Sequence, residues 1–269
     1  MTARPCRPAR VLAAVLCAWL APVAGLAQKA DLAQELTNPI ADLISVPFQL
    51  NLDRGIGPDD EGWRSTLNIQ PVYPFPVGDD WTLVSRTILP VIRQEDVAPG
   101  SVQAGLGDVV QSVFLSPNTS GGDGLIWGAG LAFGLPTATE DALGSGKWTV
   151  GPTAVALRMQ GPFTYGALVN HLRSIGGEGG RADVEQSFAQ PFFSYTSPSA
   201  VTLTASAEAV YDWERHGWAV PLNLTVARLF DLGGRPVSLQ AGLRYWAESP
   251  RGGPEGVGLR LGTTFLFPR

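Results

Sequence analysis

The sequence predicts an all-β protein, specifically a transmembrane, antiparallel, up-and-down β-barrel of about 12 strands. Three observations favour this fold: alternation of apolar and polar residues, alternation of short and long connections, and aromatic residues at strand ends. The stretch VTLTASAEAVYDW, residues 201–213, alternates most clearly, which places Val201 and Leu203 on one face and Thr202 and Thr204 on the other. Alternation alone leaves a soluble β-sandwich open, because it does not say which face meets water.

The same alternation recurs along the chain, in residues 44–53, 63–75, 237–248 and 257–267. Counting such segments gives about 12 strands of roughly ten residues or a little more, the length that a tilted strand needs to cross a bilayer. Three segments, 108–116, 147–159 and 184–196, depart from the alternation, so their registers are not predicted. Bulges, or Pro152 and Pro191, are the expected causes.

The connections between these segments are sorted by length, with residues 213–218 as an exception. Short ones lie at 77–80, 160–162, 196–199 and 231–236, and longer ones at 54–62, 94–107, 137–146, 176–183 and 250–256. Short periplasmic turns and longer outer loops are typical of outer-membrane barrels, whereas a sandwich has no reason to sort its loops in this way.

Aromatic residues form two groups at opposite strand ends. Beside the short turns lie Tyr73, Phe75, Trp81, Phe163, Tyr165, Phe230, Phe265 and Phe267, and at the other ends lie Trp63, Trp148, Tyr211, Trp213, Trp218 and Tyr245. Two such bands indicate the interfacial girdles of a membrane barrel. Strand-end aromatics that cap a soluble core are the alternative.

The N-terminus predicts export and divides the chain into three parts. Residues 1–27 have the layout of a secretory signal peptide, in which arginines precede an apolar run that ends in small residues. Residues 28–42 are expected to form a short N-terminal periplasmic segment, and residues 43–269 the barrel. An uncleaved membrane anchor is the alternative, but Pro22 and Gly25 interrupt the apolar run.

Cleavage after Ala27 would change the chemistry of the exported chain. It removes both cysteines, Cys6 and Cys17, and three arginines, which takes the formal charge from −5 to −8. An acidic chain without a cluster of basic residues is not expected to bind nucleic acid. A chain without thiols has no disulfide and no thiolate metal site, and no metal or cofactor is predicted.

Charged residues on the polar face are the candidates for lining the lumen. They are Arg64, Arg86, Glu208, Asp212, Arg244, Glu248 and Arg260. Their mixed signs favour polar or zwitterionic solutes over one ion sign. A barrel of about 12 strands has a narrow lumen, and the loops 94–107 and 137–146 are the expected constrictions because of their length.

The sequence offers little for catalysis, and no enzymatic activity is predicted. In GSGKWT, residues 144–149, Trp148 stands where a phosphate-binding loop needs Ser or Thr. Ser174 is three residues from His171, which on a strand places the two side chains on opposite faces. His216 has no serine close in sequence. An outer-membrane hydrolase therefore remains only a remote alternative.

Several segments together resemble one known family. They include NPIADLISVPFQLN, LNIQPVYPF, SRTILPVI, GLPTAT, GSGKW, QPFFSYT, PVSLQAGLRYW and the terminal FLFP. From about Asn38 to Arg269 the chain resembles the MetA-pathway of phenol degradation family of Gram-negative outer-membrane proteins. The resemblance implies an outer-membrane barrel that transports small solutes, hydrophobic or aromatic compounds among them.

The expected partners of such a protein are outer-membrane lipid, lipopolysaccharide and small-molecule solutes. A structural or adhesive outer-membrane barrel with a filled lumen and loop-mediated contacts is the alternative from another class. A secreted soluble sandwich is the third possibility.

Overall fold

The structure, a computed structural model, describes residues 21–118 and 124–267. Residues 1–20 of the predicted signal peptide lie outside the described residues, and its cleavage stays a prediction. The elements are α1 (Ala21–Glu35), β1 (Ile44–Ile56), β2 (Gly62–Ile69), β3 (Val72–Val77), β4 (Trp81–Glu95), β5 (Val102–Leu106), β6 (Val109–Pro117), β7 (Leu125–Leu135), β8 (Lys147–Gln160), β9 (Phe163–Gly177), β10 (Glu185–Thr196), β11 (Val201–Ala207), β12 (Ala209–Asp212), β13 (Gly217–Leu232), β14 (Arg235–Glu248) and β15 (Gly256–Phe267). Within the described ranges, no helix combines the length and hydropathy needed to cross a bilayer.

The strands form one closed antiparallel barrel. Successive passages of the wall pair with each other, and β15 closes the sheet by pairing with β1, where Leu261 faces Leu50. The pairs β2 and β3, β5 and β6, and β11 and β12 each make a single passage of the wall, so the described strands make 12 passages. This confirms the predicted barrel of about 12 strands.

Prolines explain why three passages are interrupted. Gln70 and Pro71 separate β2 from β3, and Pro90 on β4 lies opposite the gap between β5 and β6. At the gap between β11 and β12, the N–H of Glu208 donates to the carbonyl of Pro221 at 3.0 Å. Proline has no N–H to return, so the ladder loses a bond there.

The barrel has its apolar face outside. Along β13, Leu222, Leu224 and Val226 are 42–52% exposed, whereas the intervening Asn223 and Thr225 are 4% and 3% exposed. In the same way Leu203 is exposed and Thr202 is buried. A soluble protein has the opposite arrangement, so the alternating strands have a lipid-facing outer surface and a polar inner surface.

The two aromatic bands are present on this outer surface. At the end with the long loops, the Tyr211 ring lies 4.8 Å from that of Trp213 and 4.9 Å from that of Trp218. At the end with the short turns, the Phe163 ring lies 5.5 Å from that of Tyr195 and 5.6 Å from that of Phe193. Exposed aromatics at both strand ends match the interfacial girdles of membrane barrels.

The three segments of unpredicted register are strands that place apolar side chains inside the barrel, and the segment 147–159 has a register shift against β9 between Trp148 and Thr149, as expected of a bulge. Phe114 on β6 and Val155 and Leu157 on β8 are buried inside the barrel. Pairing continues through Pro152 and Pro191 without a shift in register. Alternation is lost where apolar side chains such as Phe114, Val155 and Leu157 occupy the inner face of a strand whose outer face is also largely apolar.

Candidate functional site in the barrel lumen

The segment between α1 and β1 enters the barrel. Ile40 is 5% exposed and packs among inward-facing side chains of β4, β6, β8 and β9. These neighbours are Val84, Phe114, Val155, Leu157 and Leu168. Ala33, at the end of α1, packs with Ala200, Leu229 and Leu266 on the other side of the lumen. We call residues 32–43 the plug.

Hydrogen bonds fix the plug at the end with the short turns. The Nε2 of Gln34 donates to the carbonyl of Gly161, in the turn between β8 and β9, at 2.8 Å. The Oδ1 of Asn38 accepts the N–H of Ile40 at 3.0 Å, which makes a compact turn that presents Ile40 to the core. Residues of the segment 28–42 therefore pack against or inside this end of the barrel, and the periplasmic location of the segment stays a prediction.

The raised pKa of Glu35 predicts that plug docking depends on pH. Burial, more than the nearby Asp42 charge, raises the pKa of Glu35, and a hydrogen bond with Asn38 only partly offsets this. A carboxyl with a raised pKa disfavours the docked state when ionised, so docking should strengthen as the pH falls through that pKa. We expect the conductance of the wild-type barrel to be lower at pH 5 than at pH 7 and this difference to shrink in Glu35→Gln. An unchanged difference would contradict the assignment.

Glu208 lies at the centre of a network of charged side chains inside the lumen. Its carboxylate accepts hydrogen bonds from Nη1 and Nη2 of Arg260 at 2.8 and 2.9 Å, and from Nη1 of Arg244 at 2.7 Å. Both arginines are less than a tenth exposed. Paired charge-assisted hydrogen bonds of this kind hold an ion pair in one geometry.

Asp53 is a second carboxylate in this network, and it is not among the lumen residues predicted from the sequence. It lies 3.2 Å from Nε of Arg244 and accepts a hydrogen bond from Nε1 of Trp246 at 2.8 Å. The alternation of residues 44–53 already placed Asp53 on the polar face, so the signal was present. Asn51, on the same face, accepts from Nε of Arg260 at 2.8 Å.

Arg64, which lies opposite Asp53 in the sheet, and Arg86, which lines the same cavity as Arg260, lie beside these groups without carboxylate partners. Nε of Arg64 donates to Oε1 of Gln94 at 2.8 Å, and Nη2 of Arg86 donates to Oε1 of Gln70 at 2.9 Å. Among the described residues, neither arginine has a carboxylate oxygen within 4 Å. We call these six side chains the charge network: Arg64, Arg86, Arg244, Arg260, Glu208 and Asp53. The charge network contains four cations and two carboxylates.

The other two predicted lumen residues lie near the outer end of the barrel. Asp212 accepts the backbone N–H groups of Glu214 and Arg215 at 3.0 Å each, in the connection to β13. Glu248 is exposed at the end of β14. The structure therefore brings together five of the seven predicted residues, and the lumen they share carries an excess of positive charge.

A cavity of about 260 Å³ lies between the plug and the charge network. Its polar lining includes Arg86, Arg260 and the amides of Gln49, Gln70 and Gln240. Its apolar lining includes Phe192 and Leu229, and the plug contributes Leu36 and Asn38. A space of this size and polarity can hold several waters or one small organic molecule.

The two loops expected to constrict the pore pack in different ways, and constriction by loop 137–146 stays a prediction. Loop 137–146 covers β5: Oγ1 of Thr139 accepts the N–H of Leu106 at 3.0 Å, and Asp108 accepts the N–H of Ser145 at 2.6 Å. Arg181 holds this loop by donating to the carbonyls of Asp141 and Gly144. Loop 94–107, by contrast, contains β5 and extends the wall.

A polar cluster on the outer surface contains a histidine and a serine that are not close in sequence. Nδ1 of His171 lies 2.9 Å from Oγ of Ser187 on the neighbouring strand. Nε2 of His171 is 3.8 Å from Glu185, and Ser187 also accepts a hydrogen bond from Trp213 at 2.9 Å. A hydrolytic triad needs a hydrogen bond from the imidazole to its carboxylate, so this cluster has the residue types of a triad but not its geometry.

The described residues contain no group of three or more His, Cys, Asp or Glu side chains arranged to hold a metal ion. The carboxylates inside the lumen, Asp53 and Glu208, are instead in contact with arginine side chains.

The lipid-facing wall, the aromatic bands and the closed 12-passage sheet define a barrel of the outer-membrane type. Among solved structures, the chain is similar to the COG4313 outer membrane channel from Pseudomonas putida F1, with a TM-score of 0.62, 16% sequence identity and coverage of 83% of this chain and 94% of that one. At this identity the likeness shows the fold.

Two further solved barrels align over 83% of the chain with less similarity. The beta domain of the Bordetella autotransporter BrkA has a TM-score of 0.45 at 10% identity, and it is covered completely. The Vibrio cholerae outer membrane protein OmpT has a TM-score of 0.37 at 8% identity, with 98% of that chain covered. No protein-family model and no curated protein sequence matches the chain. The resemblance to the MetA-pathway family therefore stays a prediction.

Proposed function

We propose that this protein is an outer-membrane channel that passes small solutes through a lumen narrowed by the charge network and closed by the plug. The observation that carries the proposal is the cavity of about 260 Å³ inside a lipid-facing barrel, lined by Arg86, Arg260 and several amides. A barrel that only anchors surface loops does not require arginine N–H groups in its interior that lack a hydrogen-bond partner among the described residues. Four arginines and two carboxylates favour anionic over cationic solutes.

The sign of the selectivity gives a first test. Arg86→Glu should reduce the preference of the pore for anions, because it reverses one of the cations that line the cavity. Reversal potentials in a salt gradient across a planar bilayer measure this preference. Arg173→Gln, on the outer surface, is the control and should leave the reversal potential unchanged. If Arg86→Glu also leaves it unchanged, Arg86 does not line the conducting path.

The location gives a second test. The folded barrel should sediment with outer membranes, need detergent for extraction, and run at a different apparent mass on a gel before and after boiling. Release into the soluble fraction without detergent would contradict the membrane location and the channel together.

A structural barrel with a filled lumen is the second candidate, and one observation favours it. The Ile40 cluster and the side chains around it, Val72, Ile126, Met159, Phe188 and Phe192, fill one side of the interior. Under this function, displacing the plug would leave the barrel impermeable, and shortening the outer loops would abolish surface contacts. Under the channel function, displacing the plug opens a path.

A further inference from the structure

We infer that Arg86 binds the carboxylate group of a small organic acid in the lumen cavity. This inference rests on the proposed channel function, since it names the class of solute that the channel would carry. Its evidence is the difference between Arg86 and the two arginines that bind Glu208, together with the position of Arg86 in the cavity lining, which does not include Arg64.

Arg86 retains hydrogen-bond donors that face the cavity. A guanidinium has five N–H donors, and within the described part of the chain only Nη2 of Arg86 makes a hydrogen bond, to Gln70. Arg244 and Arg260 differ, since both donate to Glu208. Arg86 also lines the cavity. A planar guanidinium with unused donors matches a carboxylate, which it can bind through two parallel hydrogen bonds.

The surrounding wall holds Arg86 in place for this role. It lies in the middle of β4 between two paired strands, opposite Val72 on one side and Ser112 on the other. Gln70, which accepts its Nη2 hydrogen bond, is 7% exposed, and the Gln70 backbone N–H donates to the carbonyl of Pro47 at 2.8 Å. A donor fixed on a rigid strand loses little conformational entropy on binding a ligand.

The rest of the cavity indicates the body of the ligand. Among its lining residues, Val72, Phe192 and Leu229 would contact hydrocarbon, and Gln49 and Gln240 supply amides that can bond a hydroxyl or carbonyl. An inorganic anion would leave these apolar side chains without a contact. The volume of about 260 Å³ accommodates a single small molecule. The class of ligand is therefore a small carboxylic acid with an apolar or aromatic body.

Benzoate and its neutral isostere benzamide test this inference. The full barrel is folded in detergent, and binding of each compound is measured by titration calorimetry. Wild-type protein should bind benzoate at least about tenfold more tightly than benzamide, equivalent to about 1.4 kcal/mol. Arg86→Gln should remove that preference, and the outer-surface variant Arg173→Gln should keep it. Equal affinities for the two compounds, or a preference that survives in Arg86→Gln, would overturn the inference.

Two further measurements complete the test. A folded Arg86→Gln barrel, verified by its gel mobility before and after boiling, excludes loss of structure as the cause. Acetate has the carboxylate but lacks the aromatic ring. We expect the protein to bind acetate more weakly than benzoate, and equal affinities would overturn the role given to the apolar lining. Calorimetry needs no open pore, so benzoate binding without conductance would contradict the channel but not the site.

Discussion

Replacing Ile40 with aspartate is expected to raise the conductance of the barrel in a planar bilayer several-fold. Ile40 is buried among five apolar lumen side chains, and an ionised carboxylate there would be unpaired in an apolar environment. The plug should leave its docked position, because it is joined to the wall mainly by the Ile40 and Ala33 contacts and by the hydrogen bond from Gln34. The closed barrel wall is left intact.

Val102→Asp is the matched control for this experiment. Val102 is 63% exposed at the start of β5, so the same chemical change there should alter neither folding nor conductance. Ile40→Leu should also behave like the wild type. A folded Ile40→Asp barrel with wild-type conductance would show that the plug does not close the path.

Replacing Glu208 with glutamine is expected to lower the free energy of unfolding by about 3 kcal/mol. The substitution removes the negative charge that balances Arg244 and Arg260, whose guanidinium groups are buried inside the barrel. It should also strengthen the preference of the pore for anions, because Asp53 would be the remaining carboxylate against the four arginines of the network.

Urea-induced unfolding in lipid vesicles, followed by tryptophan fluorescence, measures this change. Glu248→Gln removes the same charge from an exposed position at the end of β14 and should change stability by less than about 0.5 kcal/mol. Equal stabilities for the Glu208→Gln and wild-type barrels would mean that the network does not stabilise the fold.

Patterns that repeat along the chain could be predicted from the sequence. Strands such as 201–213 show one apolar and one polar face because lipid and lumen impose opposite requirements on alternate residues. Arg86, Arg244 and Arg260 were predicted on the polar face for this reason, and the structure places them in one network with Glu208. The aromatic bands followed from the same logic at the strand ends.

Features that depend on contacts between distant residues could not be predicted. Alternation is lost where β6, β8 and β10 enclose an apolar core with Ile40, since a strand with two apolar faces has no period of two. Nothing local in residues 36–43 indicates entry into a barrel. The proximity of His171 to Ser187 depends on the pairing of β9 with β10, a register that the sequence left open.

The channel function requires a lumen that conducts once the plug moves. Single-channel recording of the wild-type and Ile40→Asp barrels in planar bilayers tests this most directly. We predict small, intermittent, anion-preferring currents for the wild type and larger, sustained currents for Ile40→Asp. Two folded, inserted barrels that both carry no current would contradict the channel and leave the filled, structural barrel as the function.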